Sequence, residues 1–220
     1  MRNIFLILFL SVCIMLYSSY DSFFNDEKIQ EIVTIGNLNY ANEKKIVENL
    51  NQLLGDEIYK IDLRIIKKNI EKNPWISSAQ VSIKKPNKLL VKLIEFQPLY
   101  IWNNKKYVDS DGNVIEYRDK LIDNLLKLNS NDNSPQEMYQ VYIKIQKILE
   151  NLNLRVLQLD RDLDILIIET DKYNFLVNFV IFERKLLEFS TIYDQFLSKS
   201  KNLKDIKNID LRYPTGFAVQ

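Results

Sequence analysis

Ala79-Gln80-Val81-Ser82-Ile83 and Leu89-Leu90-Val91-Lys92-Leu93 flank Lys84-Lys85-Pro86-Asn87-Lys88. Ala79, Val81 and Ile83 alternate with polar residues, and Leu89, Val91 and Leu93 form a second series of the same period. A period of two marks strands with one buried face, and the Pro-Asn between them is turn chemistry, so the stretch reads as a β-hairpin. Upstream, Asp62 is placed to cap a helix with Leu63, Ile66 and Ile70 inward, halted before Pro74. Before that, Asn42 is placed to cap a helix carrying Ile46, Val47, Leu50, Leu53 and Leu54, stopped by Gly55. Ile32, Val33 and Ile35 make a short strand ended by Gly36-Asn37. The order strand, helix, helix, strand, strand predicts an α+β unit with helices on one sheet face.

A second block runs from Leu99 to Gln220. Tyr100 and Trp102 alternate on an incoming strand, and Tyr107-Val108 and Val114-Ile115 flank a Gly turn at Asp109–Gly112. A polar loop is expected over Asn129–Asn133. Ser134-Pro135 then opens a helix with Met138, Tyr142, Ile145, Ile148, Leu149 and Leu152 on one stripe. Strands are predicted at Arg155–Leu159, Leu163–Glu169 and Phe175–Phe182, with the first turn at Asp160–Asp162. A helix carrying Leu186, Phe189, Tyr193 and Phe196 comes next. The last stretch, Asp210–Gln220, reads as one half-apolar edge strand, with Leu211, Tyr213, Phe217 and Val219 on one side. Pro214 lacks an N–H and suits an edge, and Gly216 permits close approach of another backbone. An edge strand offers unpaired backbone groups to a partner.

At the other end, Met1-Arg2-Asn3 precedes an uncharged run from Ile4 to Tyr20, near the ~17-residue minimum for a spanning helix. Arg2 and the amino terminus are positive, while Asp21, Asp26 and Glu27 lie beyond the run, which predicts a cytoplasmic N-terminus. A cleaved signal peptide needs small residues spaced around its cleavage site, and Ser18-Ser19 lie between Tyr17 and Tyr20. The run is therefore read as an uncleaved anchor.

The 220 residues carry a net charge of +1, no His and one Cys, Cys13. These counts exclude an internal disulfide, a His/Cys zinc site and His-dependent nucleophilic triads. No cofactor, metal or catalytic residue is assigned. Asp109-Ser110-Asp111-Gly112 lacks the spacing of a calcium loop and reads as a hairpin turn. Asp160, Asp162, Asp164 and Glu169 read as solvated turn acids rather than a glycosidase pair. Lys67, Lys68, Lys72, Lys84, Lys85 and Lys88 read as a solvated face, with anionic headgroups or an acidic partner as the second reading.

Taken in order, Ile35-Gly36-Asn37, Asn73-Pro74-Trp75-Ile76 with Ala79 and Val81, Pro86-Asn87-Lys88-Leu89 and Glu95-Phe96-Gln97-Pro98 resemble the "I.GN", "PWI..A.V" and "P..L.V.V.E..P" run of a POTRA domain. Asp210-Leu211-Arg212-Tyr213 with Gly216, Ala218 and Val219 resembles the terminal "DLRY…G.AV" strand of the FtsQ/DivIB family of bacterial cell-division proteins. The resemblance spans essentially the whole chain. It implies an anchor over 1–20, a POTRA domain over 28–97 and a mixed α/β-sheet domain over 98–220 ending in an edge strand. It also implies a non-enzymatic, single-pass protein of the inner membrane at the division septum, with a short cytoplasmic end and a periplasmic bulk. The implied partners are FtsB/FtsL-like coiled-coil proteins docking by strand addition, and FtsK-, FtsW- and FtsI-like proteins. No nucleic acid or small-molecule substrate is implied. The positions carried over for partner binding are Tyr213, Thr215, Gly216 and Phe217. Two other readings stand beside this one. One is a POTRA-type chaperone for exported polypeptides, and the other is an anchored cell-wall hydrolase using Asp160, Asp162 and Asp164.

Overall fold

The computed structural model describes residues 9–16, 28–116, 122–199 and 206–220. Residues 9–16 are helical, and Phe9, Leu10, Val12, Ile14, Met15 and Leu16 are all exposed. Among the described residues no helix is long and apolar enough to cross a membrane. The rest of the predicted anchor, 1–8 and 17–20, lies outside the described residues. The chain divides into two compact units, Met1–Phe96 and Gln97–Gln220.

The first unit contains β1 (Glu31–Ile35), α1 (Glu43–Asn51), a 3-10 turn (Ile58–Lys60), α2 (Leu63–Ile70), β2 (Ile76–Lys84) and β3 (Lys88–Glu95). Its sheet has the order β1-β3-β2, with β1 parallel to β3 and β2 antiparallel to it. Asn42 caps α1 by accepting from the Lys45 amide, and Asp62 caps α2 by accepting from the Arg64 amide. Ile46 and Leu50 of α1, with Ile66 and Ile70 of α2, pack against Ala79, Leu89, Val91 and Leu93 on one sheet face. A Cβ on Gly36 would lie 2.7 Å from the Leu93 carbonyl oxygen, so the strand exit admits only glycine without a backbone shift. The buried Glu95 carboxylate accepts from the backbone amides of Asn39 (2.7 Å), Tyr40 (2.7 Å) and Ala41 (2.6 Å). Those bonds tie the end of β3 to the loop that enters α1.

The second unit contributes β4 (Tyr100–Trp102), β5 (Lys106–Val108), β6 (Val114–Glu116), β7 (Leu126–Ser130), β8 (Val156–Asp162), β9 (Ile165–Thr170), β10 (Asn174–Asn178), β11 (Asn208–Asp210) and β12 (Ala218–Val219). These nine strands form one sheet in the order β12-β11-β10-β9-β8-β7-β4-β5-β6. Helix α3 (Pro135–Glu150) joins parallel β7 and β8, and α4 (Phe182–Lys199) joins parallel β10 and β11. The two crossovers run in the same direction along the sheet, which puts both helices on one face. Met138, Ile145 and Leu149 of α3, and Leu186, Phe189 and Tyr193 of α4, share one core with Leu128, Leu159, Ile168, Phe175 and Ile209. A capping box between Ser134 and Glu137 starts α3.

Three sequence expectations shift here. Asn129 and Ser130, expected in a loop, close strand β7. The turn expected at Asp160–Asp162 lies at Leu163-Asp164 instead, because Asp160 faces β7 and accepts from Asn129 Nδ2 at 2.6 Å. The strand expected to reach Phe182 stops at Asn178, whose side chain accepts from the Val180 amide at 3.0 Å and turns the chain into a 3-10 segment.

Candidate partner-binding site

Asp210–Gln220 is not one strand: it holds the last residue of β11, a bend and then β12. Strand β11 lies parallel to β10, and β12 returns antiparallel to β11, pairing Ile209 with Val219 and Asp210 with Ala218. The bend covers Tyr213–Gly216. Pro214 cannot donate to a ladder, and Gly216 sits at φ +76°, where a side chain is strained. The alternation fails because the bend resets which way each residue faces. Leu211 is buried, whereas Tyr213 is 51% and Val219 41% exposed.

Side chains fix the bend from both ends. Asp210 accepts from the Arg212 amide at 3.0 Å, and the Arg212 guanidinium closes on the same carboxylate at 2.9 and 2.6 Å. Hydrogen bonding from Arg212 holds the Asp210 carboxyl below its ordinary range. The Leu211 amide donates to the Leu176 carbonyl at 2.8 Å. At the far side, Lys185 of α4 is buried, and its Nζ donates to the Pro214 carbonyl at 3.1 Å. The Phe217 ring meets Phe189 edge-on, with centroids 5.3 Å apart.

The four residues singled out from the sequence therefore divide. Tyr213, Thr215 and Gly216 lie in the exposed bend, and nothing stands within 4 Å of where a Gly216 Cβ would be. Phe217 turns inward onto the unit's own core. Lys185 was not singled out. It falls in register with the apolar stripe Phe182, Leu186, Phe189 and Tyr193, and a lysine in that stripe was the available signal.

The ladder defines the rim. Gln220 N donates to Asn208 O at 3.0 Å and Asn208 N donates to Gln220 O at 2.9 Å, so these two residues are a hydrogen-bonded pair. Hydrogen-bonded and non-hydrogen-bonded pairs alternate in an antiparallel ladder, so Val219 turns its N–H and C=O away from β11. Strand β11 is enclosed on both flanks, and β12 is the outer strand.

The acids weighed for chemistry have local roles. Asp109 Oδ1 accepts from the Asp111 and Asn113 amides at 2.9 and 2.8 Å, and Oδ2 accepts from Asn113 Nδ2, which uses both oxygens to close the hairpin turn. Asp160 Oδ2 accepts from Gln158 Nε2 at 2.8 Å. Among the described residues no group of three or more candidate ligands could hold a metal ion.

A three-stranded unit with two helices on one face, followed by a mixed sheet ending in a short edge strand, fits a POTRA domain joined to a second, mixed α/β domain. The family described as "POTRA domain, FtsQ-type" matches residues 28–96, and the one described as "Cell division protein FtsQ/DivIB, C-terminal" matches residues 100–212. The chain is similar to proteins named "Cell division protein FtsQ". It is 24% identical over 198 residues to the one from Hahella chejuensis, covering 89% of this chain and 70% of that protein. It is 24% identical over 203 residues to that of Cellvibrio japonicus, covering 89% and 61%. It is 27% identical over 212 residues to that of Haemophilus influenzae, covering 89% and 78%. The chain belongs to the FtsQ/DivIB family of cell-division proteins. The bend from Tyr213 onward and β12 lie beyond the matched span.

Proposed function

We propose that this chain is a non-enzymatic scaffold of the bacterial division machinery, held in the cytoplasmic membrane by its N-terminal apolar run. The N-terminus is cytoplasmic, and the POTRA domain (28–97) and sheet domain (98–220) act on the periplasmic side at the septum. An FtsB/FtsL-like partner adds a strand beside β12, and FtsK-, FtsW- and FtsI-like proteins are further partners. One observation carries the docking mode: the ladder register turns the backbone of Val219 outward. Backbone pairing supplies affinity, and exposed Tyr213 supplies a side-chain anchor beside it.

Val219→Pro tests this directly. It removes an outward N–H and leaves the Ala218 and Gln220 amides, which pair inward. The expected result is loss of partner capture in a pull-down with unchanged thermal unfolding. Full capture by folded Val219→Pro protein excludes strand addition at this edge.

A further inference from the structure

We propose that the tip of the β2–β3 hairpin, Lys84-Lys85, rests on the anionic headgroups of the bilayer that holds the chain. The inference rests on reading the N-terminal run as a membrane anchor.

The register locates the tip. Strand β1 runs parallel to β3, with Glu31 opposite Lys88. The Gln30 amide donates to the Asn87 carbonyl at 3.0 Å, and Asn87 Nδ2 donates to Gln30 Oε1 at 2.6 Å. The hairpin tip therefore lies at the end of the unit where the chain enters β1. Asp21–Lys28, eight residues, separate the apolar run from Ile29. Eight residues span at most about 28 Å when fully extended. Whatever path they take, this end of the unit stays near the bilayer.

Charge selects the occupant. Near this end the Lys88 ammonium pairs with Glu31, and Lys60 pairs with Glu57 at 2.6 Å. Asp56 lies at this end too, its carbonyl accepting from the Ile29 amide, and Lys28, just before Ile29 in the chain, bridges to Glu57. Lys84 and Lys85 remain. Both are exposed, and neither is in an ion pair among the described residues. Lys84 also stands directly opposite Lys88 in the ladder, a like-charge placement that weakens a hairpin in isolation. Anionic headgroups attract both ammonium groups and offset that repulsion. The connecting sequence brings Asp21, Asp26 and Glu27 of its own. The test therefore compares lipids on one and the same chain.

The full chain is placed in nanodiscs of phosphatidylcholine with and without phosphatidylglycerol. Its lysines are acylated under limiting reagent, and peptides are read by mass spectrometry. The reference is Lys92, opposite Ile35 at the far end of β1. Relative to Lys92, acylation of Lys84 and Lys85 is expected to slow by about threefold or more in anionic discs, and to recover at raised salt. Equal rates in both lipids overturn the proposal while leaving the anchor intact. Protection by an added acidic peptide, but not by anionic lipid, also overturns it in favour of a protein partner. Release of the chain from vesicles by alkaline carbonate removes the anchor reading, and the proposal with it.

Discussion

The ammonium of Lys185 reaches from the core-facing side of α4 to the Pro214 carbonyl, 3.1 Å away, with 2% of its side chain exposed. A charged donor on a rigid helix thus fixes the carbonyl at the centre of the terminal bend. The same ammonium lies 3.2 Å from Glu188, whose side chain is half exposed and adds little. Hydrogen bonds from charged donors contribute about 1.5–3 kcal/mol. Lys185→Met keeps the buried stem and deletes this contact. The amides of Ala218 and Gln220, which hold β12 to β11, should then exchange about tenfold faster with solvent. Thermal unfolding of the whole protein should change little, because methionine fills the same space and removes the desolvation cost of a buried ammonium along with its bond. Glu188→Gln should leave the exchange of both amides as it was.

Tyr213, in the exposed bend, and Phe217, just past it and turned inward, should separate binding from folding. Phe217→Ala removes an edge-to-face pair and partly buried apolar area, an expected loss of about 1–2 kcal/mol in urea unfolding. Tyr213→Ala removes a side chain that is 51% exposed, so stability should move by no more than about 0.5 kcal/mol. Partner capture should nonetheless fall for Tyr213→Ala. Equal loss of stability in the two variants would place Tyr213 in the core as well.

The reach of the sequence depended on how locally each feature is decided. Caps were legible because the side chain and the amide it accepts from are near neighbours, as at Asn42, Asp62 and Ser134. The hairpin between β2 and β3 was legible from its period. Strand β7 was not, since Leu126-Lys127-Leu128-Asn129-Ser130 ends in polar residues that pair with β8 only after α3 has crossed the sheet. The tail shows the same limit. Asp-Leu-Arg occurs twice, at Asp62–Arg64 and at Asp210–Arg212, and each time the aspartate accepts from the arginine amide and side chain. One copy opens a helix and the other ends a strand. The tripeptide sets a local turn, and the packing around it selects helix in one place and bend in the other.

Glu95 and Gly36 carry the joint at the end of β3, and their substitution should be costly in the first unit alone. Glu95→Gln keeps an acceptor oxygen for at most two of the three amides, Tyr40 and Ala41, and points an NH2 group at the rest. Each unsatisfied buried donor costs about 1–3 kcal/mol, so a loss near 3 kcal/mol is expected. Gly36→Ala brings a methyl against the Leu93 carbonyl and should cost about 1–3 kcal/mol. Urea unfolding followed by Trp75 fluorescence, in a Trp102→Phe background, reports on this unit. An unchanged midpoint for Glu95→Gln would show that water replaces the lost acceptor.

Alkaline pH should unfold the second unit through two buried phenols. Burial pushes Tyr100, stacked on Tyr139 at 5.1 Å, up to about 12, and burial pushes Tyr193 of α4 up to about 12 as well. The unfolded phenol ionises near 10, so the folded state binds the proton more tightly than the unfolded state does. The stabilisation is therefore fully present below about pH 10 and is lost as pH rises through about 12. Tyr100→Phe and Tyr193→Phe cannot ionise, and each should flatten the fall of unfolding free energy between about pH 10 and 12. Denaturant melts across that range check the slope. Variants as steep as the parent protein would assign the alkaline transition to other groups, chiefly the lysines losing their charge.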